Sequence, residues 1–194
     1  MIIGITGGTG CGKTTALNAI RKLGGIVLDC DAIYHELLKT DRELLCAIEA
    51  RFPGTVENGQ LQRKKLGAIV FSDERALLDL NRITHAAVKA EVLRRLAEKP
   101  ALAAIDAIAL FEGGLAELCD VTVAITAPRA DRIARLMLRD GITEEYAALR
   151  IDAQHDAAWF RARCDHVLEN VGSIDAFATN CLAFFTGLDI IEST

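Results

Sequence analysis

Short apolar runs recur along the chain, spaced so that a helix fits between most of them. They cover Ile2–Thr6, residues 26–28, residues 102–105 and Val121–Thr126, with Val167-Leu168 as a fifth. The runs are continuous rather than alternating, as in strands buried on both faces. Helical patterns lie between them, the first over residues 14–23. This alternation predicts an α/β fold: a parallel sheet covered by helices on both faces. Residues 40–99 break the rhythm. They read as helical, with turns near Phe52-Pro53-Gly54 and Glu57-Asn58-Gly59, and Leu77, Leu80, Ile83, Ala87 and Ala90 form an apolar stripe at helical spacing. A stretch this long between two strands exceeds a simple crossover. It predicts an inserted helical subdomain over about residues 40–99, placed where a substrate would lie.

The first strand runs into Gly7-Gly8-Thr9-Gly10-Cys11-Gly12-Lys13-Thr14 and then into a helix. This matches G-x-x-x-x-G-K-[ST] in the strand–loop–helix context of a nucleotide-binding phosphate loop. The chemistry explains the spelling. Successive backbone N–H groups can wrap anionic oxygens only if the chain comes close and adopts unusual φ/ψ values, which glycine allows. The helix that follows aims its positive end at the phosphates. Gly10, Cys11, Gly12, Lys13, Thr14 and Thr15 are therefore expected to bind the nucleotide, with Lys13 on the β- and γ-phosphates and the Thr14 hydroxyl on Mg²⁺.

Composition narrows the class. The chain has 194 residues, 51% hydrophobic, enough for one domain with a substantial core. No apolar run reaches the roughly 20 residues of a membrane span, and the first strand has no basic segment before it, so it does not read as a signal peptide. A net charge of −5 without a basic tail argues against nucleic acid as a partner. Six cysteines show no C-x-x-C pair and no zinc spacing, so they read as free thiols of a cytoplasmic protein. Cys11 stands apart because it lies in the loop. Its position near a helix N-terminus and Lys13 favours the thiolate, while its small size alone would also suit the loop.

Several side chains carry candidate chemistry. Asp29 and Asp31 follow the second strand, where ligands meet open parallel sheets. Phosphoryl transfer needs a carboxylate to orient the attacking hydroxyl and take its proton; the alternative for Asp31 is capping the helix over residues 32–38. Asp106 follows the third strand and Glu112 precedes two glycines; spacing alone leaves either as a site acid or a surface acid. His85, alone in a long helix, carries no role by spacing. Residues 129–163 hold seven arginines and no lysine. Arg139 and Arg150 read as phosphate contacts. Arg132 reads as part of a solvated helix face, with local pairs such as Asp131 with Arg135.

In order along the chain, these motifs resemble the dephospho-CoA kinase family from about residue 2 to 172. Residues 4–15 resemble its opening loop and Val27-Leu28-Asp29-Cys30-Asp31-Ala32-Ile33 its aspartate pair. Gly59-Gln60-Leu61-Gln62-Arg63 and Leu80-Asn81-Arg82-Ile83-Thr84-His85 resemble stretches of its CoA subdomain. Leu110-Phe111-Glu112-Gly113-Gly114-Leu115 resembles the segment after its third strand. Arg135-Leu136-Met137-Leu138-Arg139-Asp140, Arg150-Ile151 and Gln154 resemble its lid, and Asn170-Val171-Gly172 its Asn-x-Gly. The resemblance implies a single three-layer P-loop domain with a five-stranded parallel sheet, a helical CoA subdomain and a lid over about residues 139–160. It implies ATP and dephospho-CoA as substrates, with Mg²⁺, giving CoA and ADP. Asp31 would be the base, Lys13 and Arg139 would stabilise the transferring phosphoryl group, and Arg63, His85 and Glu112 would lie on the substrate side. Two family prolines are replaced, by Ala86 after the histidine and by Ile108 before Leu110-Phe111-Glu112. Two other readings remain at this point: a nucleoside or shikimate kinase, and a nucleotide-dependent switch, for which no Asn-Lys-x-Asp is present.

Overall fold

The computed structural model describes residues 1–191, with side chains through Leu188. The chain forms two compact units. The first comprises Met1–Leu28, Pro100–Leu110 and the chain from Ala116 onward. Its sheet has strands β1 (Ile2–Thr6), β2 (Ile26–Asp29), β5 (Ala103–Asp106), β6 (Val121–Thr126) and β7 (His166–Glu169) in the order β2-β5-β1-β6-β7. β1 is central and pairs in parallel with β5 and β6, and β6 with β7. The five-stranded parallel sheet thus has the expected class, and the weakest run, Val167-Leu168, is a full strand at one edge.

Helices α1 (Lys13–Lys22) and α9 (Ile174–Ile191) pack together on one face. Ile3, Ile5, Ala16, Ile20, Val123, Ile125, Phe177 and Phe185 form the core there, all at most 2% exposed. On the other face, a Cβ at Gly4 would sit 2.8 Å from Cys119 Sγ and 2.9 Å from Leu110 Cδ2, so glycine keeps that packing close. Beyond β6 come α6 (Arg129–Asp140), α7 (Glu144–Asp152) and α8 (Ala157–Arg161). Gly141, at φ +64, ends α6 in a left-handed cap. Ile133, Leu136, Ala147 and Ile151 then clamp α6 to α7.

The second unit comprises Asp29–Lys99 and Phe111–Leu115. It contains α2 (Cys30–Thr40), α3 (Arg42–Arg51), α4 (Arg63–Val70) and α5 (Glu74–Leu96). It is not wholly helical. Val56–Glu57 (β3) and Gln60–Leu61 (β4) pair as an antiparallel hairpin. Its two-residue turn, Asn58-Gly59, has φ of +52 and +73, the turn for which Asn-Gly is preferred. Glu49 braces its approach, accepting from Gly54 N–H at 2.6 Å and Val56 N–H at 2.7 Å.

The stripe expected on α5 is not the face it buries. Ala76, Thr84, Val88 and Val92 are buried, whereas Leu77 is 39% exposed. α5 packs on α2, α3 and α4. A helix with neighbours on several sides has no single apolar face, so the Leu77–Ala90 pattern misplaced its contact line.

Candidate active site

The loop after β1 has the backbone its glycines imply: Gly7, Gly10 and Gly12 lie at φ +137, +77 and +96. Its carbonyls are turned outward onto donors of the first unit. Lys13 Nζ donates to Gly7 O at 2.9 Å and Cys11 N–H to Gly8 O at 3.2 Å. Arg132 Nε donates to Thr9 O at 2.9 Å, Arg135 to Gly10 O at 3.1 Å, and Asn170 Nδ2 to Cys11 O at 2.9 Å. The N–H groups of Gly10, Gly12, Lys13 and Thr14 have no acceptor among the described residues. Carbonyls bound outside and N–H groups left over define a nest for an anion.

The start of α1 points the same way. Helices α2, α3, α5, α7 and α8 are each capped by an Asp or Thr side chain. α1 has Gly12 at its N-cap, no side-chain cap and no acid in its first turn. Its uncompensated N–H groups and positive dipole end are thus available to phosphate. Thr14 is exposed in that first turn. Cys11 contributes backbone only. Its side chain is 3% exposed and packs in the core with Ile3 and Ala16, so small size and burial account for it.

Arg132 departs from the sequence reading. It is 8% exposed rather than solvated, and its guanidinium lies directly against Gly8. Arg135 bonds the loop rather than pairing with Asp131. Arg132, Arg135 and Arg139 lie on one helical face, which the first two turn toward the loop. Arg139 itself bonds Asp140 at 2.7 and 3.0 Å, and Arg150 reaches the same carboxylate at 2.6 Å. These bonds, led by that of Arg139, hold Asp140 down at a pKa of about 2. Sequence reasoning did not count Arg132, Gln154 or Asn170 among the site residues. Gln154 and Asn170 stood in quoted motifs, but nothing in the spacing of a lone amide marks it as a loop contact. Asp106, which spacing left open between a site acid and a surface acid, ends β5 in register with Ile5, one strand over from the loop.

Asp31 is released from capping. α2 begins at Cys30, and Asp29 takes the N-cap, accepting from Ala32 N–H at 2.9 Å. Asp31 is exposed in the first turn. Tyr34 and His35 follow it by three and four residues and so share its face. Arg63, the first residue of α4, reaches His35 Nδ1 at 3.5 Å. Burial raises the Tyr34 pKa, and the positive charge of Arg63 acts against that rise. The second unit therefore gathers a guanidinium near the Asp31 face of α2. His85, half-buried on α5, and Glu112, exposed beside Gly113-Gly114, belong to the same unit.

A phosphate loop on a five-stranded parallel sheet, followed by an arginine-rich helix that grips the loop, defines a P-loop kinase. The shikimate kinase of Bacteroides thetaiotaomicron shares this fold, with a TM-score of 0.57 at 16% identity and 96% of this chain and 98% of that one covered.

Residues 1–176 match the dephospho-CoA kinase family. The dephospho-CoA kinase of Syntrophotalea carbinolica is 36% identical, covering 97% of this chain and 92% of that protein. The solved structure of the Campylobacter jejuni dephospho-CoA kinase superposes with a TM-score of 0.69 at 26% identity, covering 96% of each chain. The chain belongs to the dephospho-CoA kinase family, whose members carry out the last step of CoA biosynthesis, the ATP-dependent phosphorylation of dephospho-CoA.

Proposed function

We propose that this enzyme transfers the γ-phosphoryl group of ATP to the ribose 3′-hydroxyl of dephospho-CoA. The observation that carries the donor half is the loop itself, with its carbonyls bound to protein donors and four N–H groups left for phosphate. Lys13 gives up its bond to Gly7 O and turns to the β- and γ-phosphates. Arg139 leaves Asp140 to meet the transferring group, so the two cations offset charge that grows on its oxygens. Asp31 accepts the proton of the 3′-hydroxyl as its oxygen bonds to phosphorus and the bond to the β-phosphate oxygen breaks, releasing ADP. Arg63, His85 and Glu112 hold the acceptor side, with Arg63 suited to its anionic groups.

The metal follows from the donor set. Among the described residues no three Asp, Glu, His or Cys side chains are grouped to hold a cation. An exposed threonine hydroxyl, phosphate oxygens and water suit Mg²⁺, which keeps several waters and favours substrate phosphates over a protein cage. Thr14 would hold it, and when bound it neutralises charge on the phosphate chain. None of the described helices is long and apolar enough to cross a membrane. None of the six cysteines is joined in a disulfide, which fits a reducing cytoplasm.

ADP release measured over dephospho-CoA, nucleosides and shikimate tests the reading. Turnover is expected on dephospho-CoA alone, with phosphorus NMR placing the new phosphate on O3′. Turnover on another acceptor and none on dephospho-CoA would overturn it.

A further inference from the structure

We propose that Arg132 and Gln154 are positioning residues for ATP, clasping Thr9 by both its backbone polar groups and so setting the phosphate loop before the nucleotide arrives. The inference rests on reading residues 7–14 as the donor site. Arg132 Nε donates to Thr9 O at 2.9 Å. Gln154 Oε1 accepts from Thr9 N–H at 2.8 Å and from Arg132 Nη2 at 3.2 Å. One residue's two polar groups are thus held by two side chains that also hold each other, in a closed ring.

The ring matters because Thr9 sits between Gly8 and Gly10, where the backbone has wide conformational freedom. Left alone, these peptide groups would turn toward one another or toward water. The clasp fixes both faces of Thr9 from outside and takes its N–H out of the nest. The N–H groups of Gly10, Gly12, Lys13 and Thr14 have no acceptor among the described residues. Gly8 is part of the device, since a Cβ there would collide with the Arg132 guanidinium and stand 3.0 Å from Gln154 Oε1.

A second observation points to an anion. Arg132 is 8% exposed, yet its hydrogen bonds go to a carbonyl and a carboxamide, both neutral. Among the described residues no carboxylate forms an ion pair with it. A buried cation is normally paired. Here the phosphates of ATP complete it, and the same side chain that shapes the loop adds attraction for its ligand. Gln154 lies two residues past α7, so the clasp also ties the root of the arginine-bearing lid to the loop.

The test compares Gln154→Met, Arg132→Lys and Arg132→Met in the full chain, reading MgATP affinity by calorimetry and kcat and KM for both substrates. Gln154→Met keeps volume and removes the acceptor; Arg132→Lys keeps charge and removes the fork. Each should raise the MgATP Kd about fivefold, the effect of one net hydrogen bond, with the dephospho-CoA KM unchanged. Arg132→Met, which also removes the charge, should raise it by more than about tenfold. The Gln154→Met/Arg132→Lys double variant should fall short of the product of the singles, because each breaks the same ring. An unchanged MgATP Kd in both single variants overturns the proposal. So does parallel weakening of both substrates with a lowered Tm, the mark of a merely structural role. If one variant fails to fold, the other decides. Lys13→Ala separates the two levels: normal ATP binding there rejects the donor site itself, whereas loss there with normal binding in both Gln154→Met and Arg132→Lys rejects only the clasp.

Discussion

Asn170, at the end of β7, donates its side-chain amide to the carbonyl of Cys11 across 159 residues of sequence, at 2.9 Å. Its own N–H bonds Thr126 O at 2.7 Å, so it joins the end of β6 to the phosphate loop. It is 6% exposed. Asn170→Ala leaves the Cys11 carbonyl without its partner in a dry site, which costs about 1–3 kcal/mol. Urea denaturation should show that loss, and ATP titration a weaker nucleotide complex. Unchanged stability and affinity would remove Asn170 from this role.

The same amide limits what can replace Gly12. Gly12 lies at φ +96, and a Cβ there would collide with Asn170 Nδ2. Gly12→Ala combines a strained backbone with that clash. The expected outcome is a folded protein by circular dichroism, with a lowered Tm and no measurable ATP binding.

Asp31→Asn keeps the shape of the side chain and removes its basicity. Asp29, not Asp31, caps α2, so the variant should melt like the wild type. Its kcat should fall by roughly 10²–10⁴-fold, the usual worth of a general base, with ATP affinity within about twofold. Wild-type turnover would take the base role from Asp31.

Asp140 supplies a pH test. Its pKa is lowered from 3.8 to about 2 by Arg139 first and Arg150 next. A carboxylate depressed on folding stabilises the protein above its unfolded pKa, and that contribution fades as pH falls toward the folded value. The wild type should therefore lose Tm more steeply than Asp140→Asn between about pH 4 and pH 2, and the two curves should run parallel above that window. Parallel acid limbs would show that the pair does not stabilise the fold.

Thiol chemistry should leave the phosphate loop alone. Cys46 is exposed. Cys11 is buried, and burial, with help from Asp120 and Asp165, pushes the Cys119 pKa up to about 12. Brief alkylation at pH 8 should label Cys46 first by peptide mass mapping and leave ATP binding intact. Early labelling of Cys11 would contradict its burial.

What was legible in the sequence follows from how local the determinants are. Strands β1 and β6 are buried on both faces and announce themselves as apolar runs. The glycines of the loop are legible because its backbone demands them at Gly7, Gly10 and Gly12, whereas the close approach of Arg132 to Gly8 is not written in the spacing. The Asn58-Gly59 turn was visible, but its two-residue strands are too short to carry a pattern of their own. Arg132 was misjudged because its burial depends on the loop lying against α6, a contact 123 residues away in sequence. Capping stood open as the alternative for Asp31 because the apolar pattern starts two residues later than the helix, which begins at Cys30 with Asp29 as its cap. The α5 stripe failed where a helix meets three neighbours rather than one.

The bond from Asn170 to Cys11 also bears on how the chain is made. The whole nucleotide signature emerges within the first 15 residues, and its strand needs partners from β5 and β6. The amide that holds the Cys11 carbonyl, and Phe177 and Phe185 beneath α1, come only from the last quarter. Contacts so distant in sequence form late and slowly. Until β7 and α9 are in place, the phosphate-loop sequence lacks the amide and the two rings that support it in the folded protein.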